Sequence, residues 1–430
     1  MLLERNVRRY PFGDPLPRVV PGEVIASAQL EPPPPRPSPT PRSAPDDDDG
    51  EPAPEPDPAA AVDSGPSVAI LTLREVRPIA DYGGVHEAED VLVEALSARL
   101  YRVVLSDPRY GRPPFDKPVL RRALNASRLV RPYRIEHRGQ GAAAADILLV
   151  LAKDLGDAAA LVGVPGWYEL GQCVMVHIEV VTERDLRRYP ELVSMLRRRV
   201  DAVFSGTEMP PLGHLRSERL DVVGVVPPTL DVLAFPAEPD RERTIDVFSP
   251  APAAPDQRRL LTHWANTHNG KYQQDVGQLG AITSHSQHRK VFTTMATRSR
   301  LFLTNYDQFD HRRHAGQHRE AGARFYDAMA AGCVLFGDLP AASRQFVEYI
   351  APAGPLPLPR SAAQLPSDLV NALTDRAESD RLGTLARAAA LRRGDAAHRW
   401  VEMATMAGQP IGDGIHRRIN HLAALAEPPP

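Results

Sequence analysis

The sequence predicts an α/β protein with two parallel-sheet units, and three observations lead to this prediction. From Ser67 onward, short apolar runs such as VAILTL alternate with amphipathic stretches of helical period. The apolar runs are continuous, as expected for strands that are covered on both faces of a sheet. The chain has 430 residues, which is too many for one ordinary core and fits two domains with additional segments.

The first unit is expected at 67–227. It opens with the strand VAILTL, a loop that contains Gly83 and Gly84, and the amphipathic helix HEAEDVLVEALSARL. Further strands are predicted at YRVVLS, ADILLVLA, QCVMVHIEV, DAVFSG and DVVGVVP. Helices are predicted near 117–127, after Asp154 and over DLRRYPELVSMLRRR, so that strands and helices alternate throughout.

A second unit is expected at 244–426, after a Pro-rich linker at 228–243. Its predicted elements are the strand in TIDVFSP, the helices QRRLLTHWA and HRKVFTTMATRS, the strand RLFLT, and a helix and strand within EAGARFYDAMAAGCVLFGD. More helices follow to about Ala426, and 427–430 is a tail. The second unit therefore repeats the alternation of the first with fewer strands.

An N-terminal extension is expected at 1–66. Its part from 31 to 66 consists mainly of Pro, Ala, Ser and Asp, including PPPP and DDDD. Such a segment cannot bury enough apolar area to offset the entropy of ordering, so disorder is predicted there. A partner-binding role for this Pro-rich arm stays open.

Composition narrows the classes of partner and compartment. The formal net charge of −3 does not favour nucleic acid as a partner, because phosphate-backbone binding needs a concentrated basic surface. Cys173 and Cys333 both lie in apolar runs, which favours buried reduced thiols over a disulfide framework. Neither a signal-peptide core nor a transmembrane run is found in the sequence. A soluble, cytoplasmic protein is expected.

The segment from Glu320 to Asp338, EAGARFYDAMAAGCVLFGD, carries the strongest indication of chemistry. A Gly-containing loop leads into a short helix, Gly332 ends the helix, and CVLFG is suited to a buried strand. The exposed N–H groups and dipole of such a helix start favour an anion. Asp327, one to two turns into the helix, could accept hydrogen bonds from sugar hydroxyls.

Other nucleotide and nucleophile motifs are missing from the sequence. The dinucleotide-binding motif G-x-G-x-x-G does not follow the first strand, so the sequence does not favour a dehydrogenase. G-x-x-x-x-G-K-[ST], G-x-S-x-G and a kinase catalytic loop are also not found. The anion-facing helix in the second unit is thus the main indication of function in the sequence.

Several separated segments together resemble one family. They are the Gly83–Gly84 pair, PGWYE, VHIEV, PPTLDVLAF, TIDVF, SHSQHR and above all RFYDAMAAGCVLFGD. In this order they resemble the GT-B glycosyltransferases of the group-1, family-4-like kind over about 85% of the chain. The resemblance implies two Rossmann-like domains facing a central cleft, with the acceptor on the first domain and a nucleotide-sugar donor on the second. It also implies sugar transfer with retention of configuration and no metal cofactor.

The resemblance also implies roles for residues of the donor segment. Asp327 would hold the ribose hydroxyls, backbone N–H groups near Gly322 and Ala323 would face the diphosphate, and Glu320 would lie near the hydroxyls of the donor sugar. The spacing between the two acids is one residue shorter than the E-x7-E of the family, and the second acid is Asp. The shorter side chain implies a weaker or water-bridged contact.

Further candidates each have an ordinary structural alternative. Arg324 could reach a phosphate or only pair with a carboxylate one turn away. Arg258 and Arg259, after the first strand of the second unit, are candidate phosphate clamps or plain helix-surface cations, and Lys290 and Arg289 are runner-up clamps. The Gly83–Gly84 pair could let the backbone approach a ligand or simply form a turn.

His177 and Glu179 lie near the end of a predicted strand and on the same face of it. One of them could orient the acceptor or act as a catalytic base, or the histidine could be an ordinary core residue. His311, His314 and His318 have helical spacing and raise a metal hypothesis, but the two arginines among them favour an electropositive lip for a diphosphate. No metal ligand is therefore assigned.

The sequence supports three functional hypotheses. The first is a glycosyltransferase that takes a sugar from a nucleotide-diphosphate sugar. The second is a nucleotide-sugar epimerase or phosphorylase on the same architecture. The third is a non-catalytic binding or scaffolding protein, which the altered acidic pair keeps open.

Overall fold

The computed structural model describes most of the chain after residue 64. The described residues are 65–76, 83–107, 132–137, 143–206, 220–228, 230–236, 243–250, 255–274, 285–304, 322–337, 373 and 375–427. They belong to one compact unit that spans 61–430. The predicted disordered segment lies outside these ranges except for its last two residues, and the predicted helix near 117–127 lies outside them entirely.

The first sheet has seven strands in the described part of the chain. In spatial order they run β3-β2-β1-β4-β5-β6-β7, and all neighbours are parallel except β2 and β3. The strands are β1 (Val68–Thr72), β2 (Arg99–Leu105), β3 (Tyr133–His137), β4 (Ala145–Asp154), β5 (Gly171–Val180), β6 (Ala202–Ser205) and β7 (Gly224–Val225).

The antiparallel edge strand β3 was missed by the sequence prediction. Its sequence YRIEH alternates polar and apolar residues, and the side chains of Arg134 and Glu136 are 59% and 49% exposed. Such a half-exposed edge strand has a weaker pattern than the buried parallel strands.

The second sheet has four described strands, all parallel, in the order β11-β10-β8-β9. They are β8 (Ile245–Ser249), β9 (Tyr272–Gln274), β10 (Ser299–Thr304) and β11 (Val334–Gly337). The three-residue β9 was also missed, because YQQ carries no apolar run. Two Rossmann-like parallel sheets in one chain confirm the predicted fold class.

Ten α-helices cover these sheets in the described residues. They are α1 (Gly83–Ala95), α2 (Leu155–Ala158), α3 (Glu183–Arg188), α4 (Pro190–Arg199), α5 (Pro255–His268), α6 (His285–Thr297), α7 (Ala323–Ala330), α8 (Arg376–Arg393), α9 (Ala396–Met406) and α10 (Asp413–Leu425).

The single helix predicted over DLRRYPELVSMLRRR is divided into α3 and α4. Tyr189 leaves the helical region, with φ −125° and ψ 54°, because the following Pro190 disfavours helical geometry in the residue before it. Pro190 then begins α4, where its missing N–H costs nothing.

The central strand β4 shows how the first sheet is covered on both faces. Leu148 and Val150 pack into a core with Trp167 and the apolar face of α4. Ile147 and Leu149 point the other way, into a core that contains α1 and the C-terminal helices α9 and α10. The end of the chain therefore returns to the first sheet, and Trp400 of α9 is fully buried against it.

The segment between the two sheets is anchored to the C-terminal helices. Leu230 forms a β-bridge with Asp395, and the backbone N–H of Val232 donates to the Asp395 carboxylate at 3.2 Å. Arg418 of α10 binds both Asp395 at 2.8 Å and Asp231 at 2.6 Å. The described part of the predicted linker is thus tied down by a buried ion-pair cluster.

Two findings bear on the predictions from composition. Both cysteines are free, Cys333 buried and Cys173 half-buried. In the described ranges, no helix combines the length and the apolar character needed to cross a membrane.

Candidate functional site

The donor-like segment forms a helix, a tight turn and a strand, as predicted. The α7 helix ends in a left-handed turn at Gly332, with φ 65°. The N–H of Gly332 donates to the carbonyl of Met329 at 2.9 Å, and the N–H of Cys333 donates to that of Ala328 at 3.0 Å. This pair of bonds is a Schellman motif, and it directs the chain straight into β11.

In the part of the chain that the structure describes, no side chain caps the backbone donors at the start of α7. Gly322 is the N-cap, with φ −78° and ψ 177°, and makes no side-chain capping bond. The N–H groups of Ala323 and Arg324 belong to the first turn, where the helix offers no intrahelical acceptor. These donors, with the helix dipole, can bind an anion.

Asp327 lies in a buried ion network with Arg289 of α6 and Glu87 of α1. Arg289 donates to both carboxylate oxygens of Glu87, from Nε at 2.6 Å and from Nη2 at 2.8 Å. Its Nη2 also donates to Oδ1 of Asp327 at 3.0 Å. The side chains of Arg289, Asp327 and Glu87 are only 10%, 7% and 11% exposed. One guanidinium therefore joins α1 of the first sheet to α6 and α7 of the second.

Two aromatic rings hold the guanidinium of Arg289 in place. Its central carbon lies 4.7 Å from the ring centroid of Phe292 and 5.6 Å from that of Phe235. Both rings belong to the second core, and Phe235 lies in the segment between the sheets. The cation is thus fixed by packing as well as by hydrogen bonds.

Burial dominates the titration of this network. Burial raises the pKa of Glu87 and of Asp327, and the nearby charge of Arg289 offsets part of that rise. Burial alone would lower the pKa of Arg289, but Asp327 and Glu87 outweigh it and raise that pKa. The guanidinium stays charged, while two carboxylates share a single close cation.

A second polar group lies at the carboxyl ends of β4 and β5. Lys153 Nζ contacts Glu179 Oε1 at 2.5 Å, and Glu179 is 4% exposed. His177 Nε2 lies 2.9 Å from the carbonyl oxygen of Val226, which makes Nε2 the protonated nitrogen of a neutral ring. Burial lowers the pKa of His177 to about 4, so the ring is neutral at pH 7.

Lys153 connects the two polar groups electrostatically. Burial sets the direction of the pKa shift of both His177 and Asp327, and the positive charge of Lys153 makes the smallest contribution to each. The carboxyl edge of the first sheet therefore lies within electrostatic reach of the donor-like helix.

A third polar group surrounds Glu89 of α1. Oε2 of Glu89 accepts hydrogen bonds from Thr72 Oγ1 at 2.7 Å and from Arg74 Nε at 2.6 Å. Glu89 is 1% exposed, and burial raises its pKa to about 7 despite the charge of Arg74. Arg74 also binds Asp90 at 2.7 Å and the carbonyl oxygen of His86.

The other predicted site residues lie in more ordinary positions. Gly83 and Gly84 form the first turn of α1, whereas the sequence placed them in the preceding loop. Arg258 is exposed on α5, near Tyr272 of β9, and Lys290 is exposed on α6 next to the buried Arg289. Glu320, like the three histidines with helical spacing, lies outside the described residues. The roles assigned to all of these stay predictions.

Three residues of the site were missed by the sequence reasoning. Glu89 shares a helix face with Val85 and Leu92, at spacings of four and three, so a carboxylate on the apolar stripe was a readable signal. Lys153, one of four lysines in the chain, directly follows the buried run of β4. Glu87 had no such signal, because its partner Arg289 is 202 residues away.

Comparison with known proteins adds remote structural similarities. No protein-family model matches the chain, and no curated protein matches it. The chain is similar to an alpha-glucosyltransferase in complex with UDP and a 13-mer DNA containing a central A:G mismatch, with TM-score 0.43, 12% identity and coverage of 80% of this chain and 100% of that one. It is also similar to TarM, with TM-score 0.36, 10% identity and coverage of 61% and 55%. The UDP-GlcNAc 2-epimerase of Methanocaldococcus jannaschii gives TM-score 0.32, 11% identity and coverage of 72% and 92%.

Similarities as remote as these carry no argument about activity. The fold class rests instead on the strand order of the two sheets, and the candidate site rests on its own geometry.

Proposed function

We propose that this protein is a glycosyltransferase that moves a sugar from a nucleotide-diphosphate sugar to an acceptor. One observation carries the proposal: Asp327 of α7 is joined through Arg289 to Glu87 of α1, the helix that follows the first strand of the first sheet. Two parallel sheets joined in this way support the GT-B architecture that the sequence resembles. The first unit, 67–227, would hold the acceptor and the second, 244–426, the donor.

The donor side is proposed to work by electrostatics. The diphosphate lies at the N–H groups of Ala323 and Arg324, and the partly buried Arg324 side chain supplies a cation. Asp327 accepts hydrogen bonds from the ribose hydroxyls, and Glu320 contacts the hydroxyls of the donor sugar. When the bond from the anomeric carbon to the diphosphate oxygen breaks, negative charge grows on the diphosphate, and the helix start stabilises it.

The acceptor side is proposed to lie at the carboxyl edge of the first sheet. His177 is neutral and bonded to a backbone carbonyl, and Glu179 is paired with Lys153. Both are therefore suited to orient an acceptor or a shared proton through hydrogen bonds. Retention of configuration and independence from metal follow from the family resemblance, and unchanged turnover in EDTA is the expected result.

Donor binding can be tested by a thermal-shift panel of UDP-, GDP-, ADP- and dTDP-sugars. A ligand at a hundred times its dissociation constant adds about 2.7 kcal/mol to the free energy of unfolding, so one base should give a clear shift. Asp327→Asn keeps the size of the side chain and removes its charge. We expect this variant to lose most of the shift, because the ribose contact is weakened.

Asp395→Asn is a matched control for this substitution. Asp395 is equally buried and paired with an arginine, Arg418, but it lies in the cluster that anchors the interdomain segment. It should lower the melting temperature of the free protein and keep the donor-induced shift. An equal loss of the shift in both variants would show only general destabilisation, and no shift with any nucleotide sugar would end the proposal.

A further inference from the structure

A recess opens at the point where the first sheet changes winding direction. From β1 the chain proceeds to β2 on one side, whereas β4 lies on the other side of β1. In open α/β sheets, ligands bind at the carboxyl ends of the two strands that flank such a switch point. The recess lies there, between the residues that follow β1, the end of β4 and the start of α1.

Glu89 gives this recess an unsatisfied acceptor. One carboxylate oxygen, Oε2, is engaged by Thr72 and Arg74. The other, Oε1, is buried and has no hydrogen-bond partner among the described residues. Leaving a buried carboxylate oxygen unpaired is costly, so a group that donates to it gains more than it would at the surface.

We propose that this recess binds a hydroxyl group of a polyhydroxylated ligand, with Glu89 Oε1 accepting the hydrogen bond. The proposal identifies the ligand as the acceptor of the sugar, and that identification rests on the proposed transferase function. Glu89 becomes a residue that determines acceptor specificity.

The lining of the recess favours a hydroxyl over other groups. Glu89 and Asp157 supply carboxylate oxygens, whereas Lys153 supplies an ammonium group. A hydroxyl group can donate a hydrogen bond to a carboxylate oxygen and accept one from the ammonium group. The negative charge of a phosphate is repelled by the carboxylates and the positive charge of an alkylammonium by Lys153, whereas a neutral hydroxyl meets neither repulsion and can also bond to the imidazole of His86, which lines the recess too. The apolar side chains of Leu73, Val85 and Leu151 form the rest of the wall.

The size of the recess sets how much of the ligand it can hold. The cavity volume of the recess is about 10 Å³. Pockets that enclose a whole drug-sized ligand have about 300–1,000 Å³. A cavity needs about 10–15 Å³ to hold one water molecule, so the recess has room for the hydroxyl group alone and the rest of the ligand stays outside it.

The protonation state of Glu89 agrees with this role. Burial raises its pKa to about 7, so both protonation states are populated at neutral pH. The ionised form is the stronger acceptor, and a bound hydroxyl should stabilise it. Ligand binding should consequently lower the pKa of Glu89.

The experiment uses the full chain, labelled with [δ-¹³C]glutamate and free of nucleotide. The Cδ resonance of Glu89 is assigned by its loss in Glu89→Gln and followed by NMR while glycerol, methyl α-D-glucopyranoside, ethylammonium chloride or inorganic phosphate is added. We expect the two hydroxyl probes to shift this resonance in a saturable way and to lower the midpoint of its pH titration. Glu89→Gln should weaken their binding by about 10- to 100-fold, as for the loss of a hydrogen bond to a charged group.

Asp90→Asn is the matched control, because Asp90 binds the same Arg74 but is 62% exposed and lies outside the recess. It should bind the hydroxyl probes as the unmodified protein does. The proposal is overturned if neither hydroxyl probe moves the resonance, if ethylammonium or phosphate binds in preference, or if Glu89→Gln binds unchanged. If Glu89→Gln folds poorly, Glu89→Asp assigns the resonance in the same way, and the titration of the unmodified protein then decides the matter.

The outcome is separable from that of the donor test, since no nucleotide is present. If the protein binds a nucleotide sugar but Glu89 does not respond, the hydroxyl site in the recess is ruled out and the proposed transferase function still stands. A response of Glu89 in a protein that binds no nucleotide sugar would keep the hydroxyl site and remove its assignment to an acceptor.

Discussion

Removing the shared cation of the buried network is the sharpest test of how the two sheets are held together. Arg289→Met deletes three hydrogen bonds of 2.6, 2.8 and 3.0 Å and leaves Glu87 and Asp327 as buried carboxylates without their guanidinium. Breaking a buried ion pair by removing one partner costs about 3–5 kcal/mol, because the remaining charge is uncompensated. We expect a loss in that range at pH 8.

The loss should depend on pH in a defined direction. Burial already holds the pKa values of Glu87 and Asp327 above their ordinary values of 4.5 and 3.8, and deleting Arg289 raises them further. A carboxyl group with a raised pKa in the folded state binds its proton more tightly there than in the unfolded chain. Its contribution is fully favourable below the unfolded pKa and is lost as pH rises through the folded pKa. The destabilisation should thus shrink as pH falls from 8 to 5.

Urea unfolding followed by tryptophan fluorescence can measure this loss, because Trp167 and Trp264 lie in the cores of different sheets. Arg258→Met is the control, since Arg258 is exposed on α5. Adding Glu87→Gln to Arg289→Met removes one uncompensated charge and should restore part of the stability. A loss below about 1 kcal/mol, as for exposed pairs, or a loss that does not change with pH would refute the reasoning.

Three further predictions concern other parts of the structure. Gly332→Ala should lower the free energy of unfolding in urea by about 1–2 kcal/mol, because a left-handed φ of 65° is strained for alanine and its Cβ would lie 3.1 Å from Arg243. Gly408→Ala is the control: Gly408 has φ 66° but open space around it, so its substitution measures the backbone strain alone. Histidine NMR should show that His177 stays neutral down to about pH 4. Its lowered pKa contributes about 3 kcal/mol to the free energy of unfolding above pH 6.5, and this contribution is lost as pH falls towards 4. A titration midpoint near pH 6.5 would contradict this. Lys153→Met should cost about 3 kcal/mol by removing the ammonium group that pairs with the buried Glu179, whereas Lys271→Met at an exposed site should cost almost nothing; equal losses would show that the Lys153 pair is unimportant.

The sequence predicted the buried parallel strands better than the edges of the sheets. Continuous apolar runs such as those of β4 and β10 reflect burial on both faces, and this signal is local. The edge strands β3 and β9 are short and half-exposed, so their residues carry little pattern. The return of α9 and α10 to the first sheet could not be read locally either, because Trp400 and Ile415 look like ordinary apolar helix positions.

The sequence predicted the part of the candidate site that one continuous segment forms. RFYDAMAAGCVLFG specifies the α7 helix, its Schellman turn and β11 through residues that are neighbours in sequence. The partner of Asp327 was not predictable in the same way. Arg289 was only a runner-up phosphate clamp, and its contact with Glu87 depends on how the two sheets meet. Distant ion pairs of this kind leave no periodic mark on a single sequence.

The central claim is transfer of a sugar from a nucleotide donor, and ³¹P NMR of the protein with the nucleotide sugar that it binds tests it most directly. Cleavage between the anomeric carbon and the diphosphate releases a nucleoside diphosphate, which is the predicted product, slowly to water and faster with a hydroxyl acceptor. Asp327→Asn should release much less. A nucleoside monophosphate with a sugar 1-phosphate, an epimerised nucleotide sugar, or an unchanged spectrum in the presence of hydroxyl acceptors would each contradict the account.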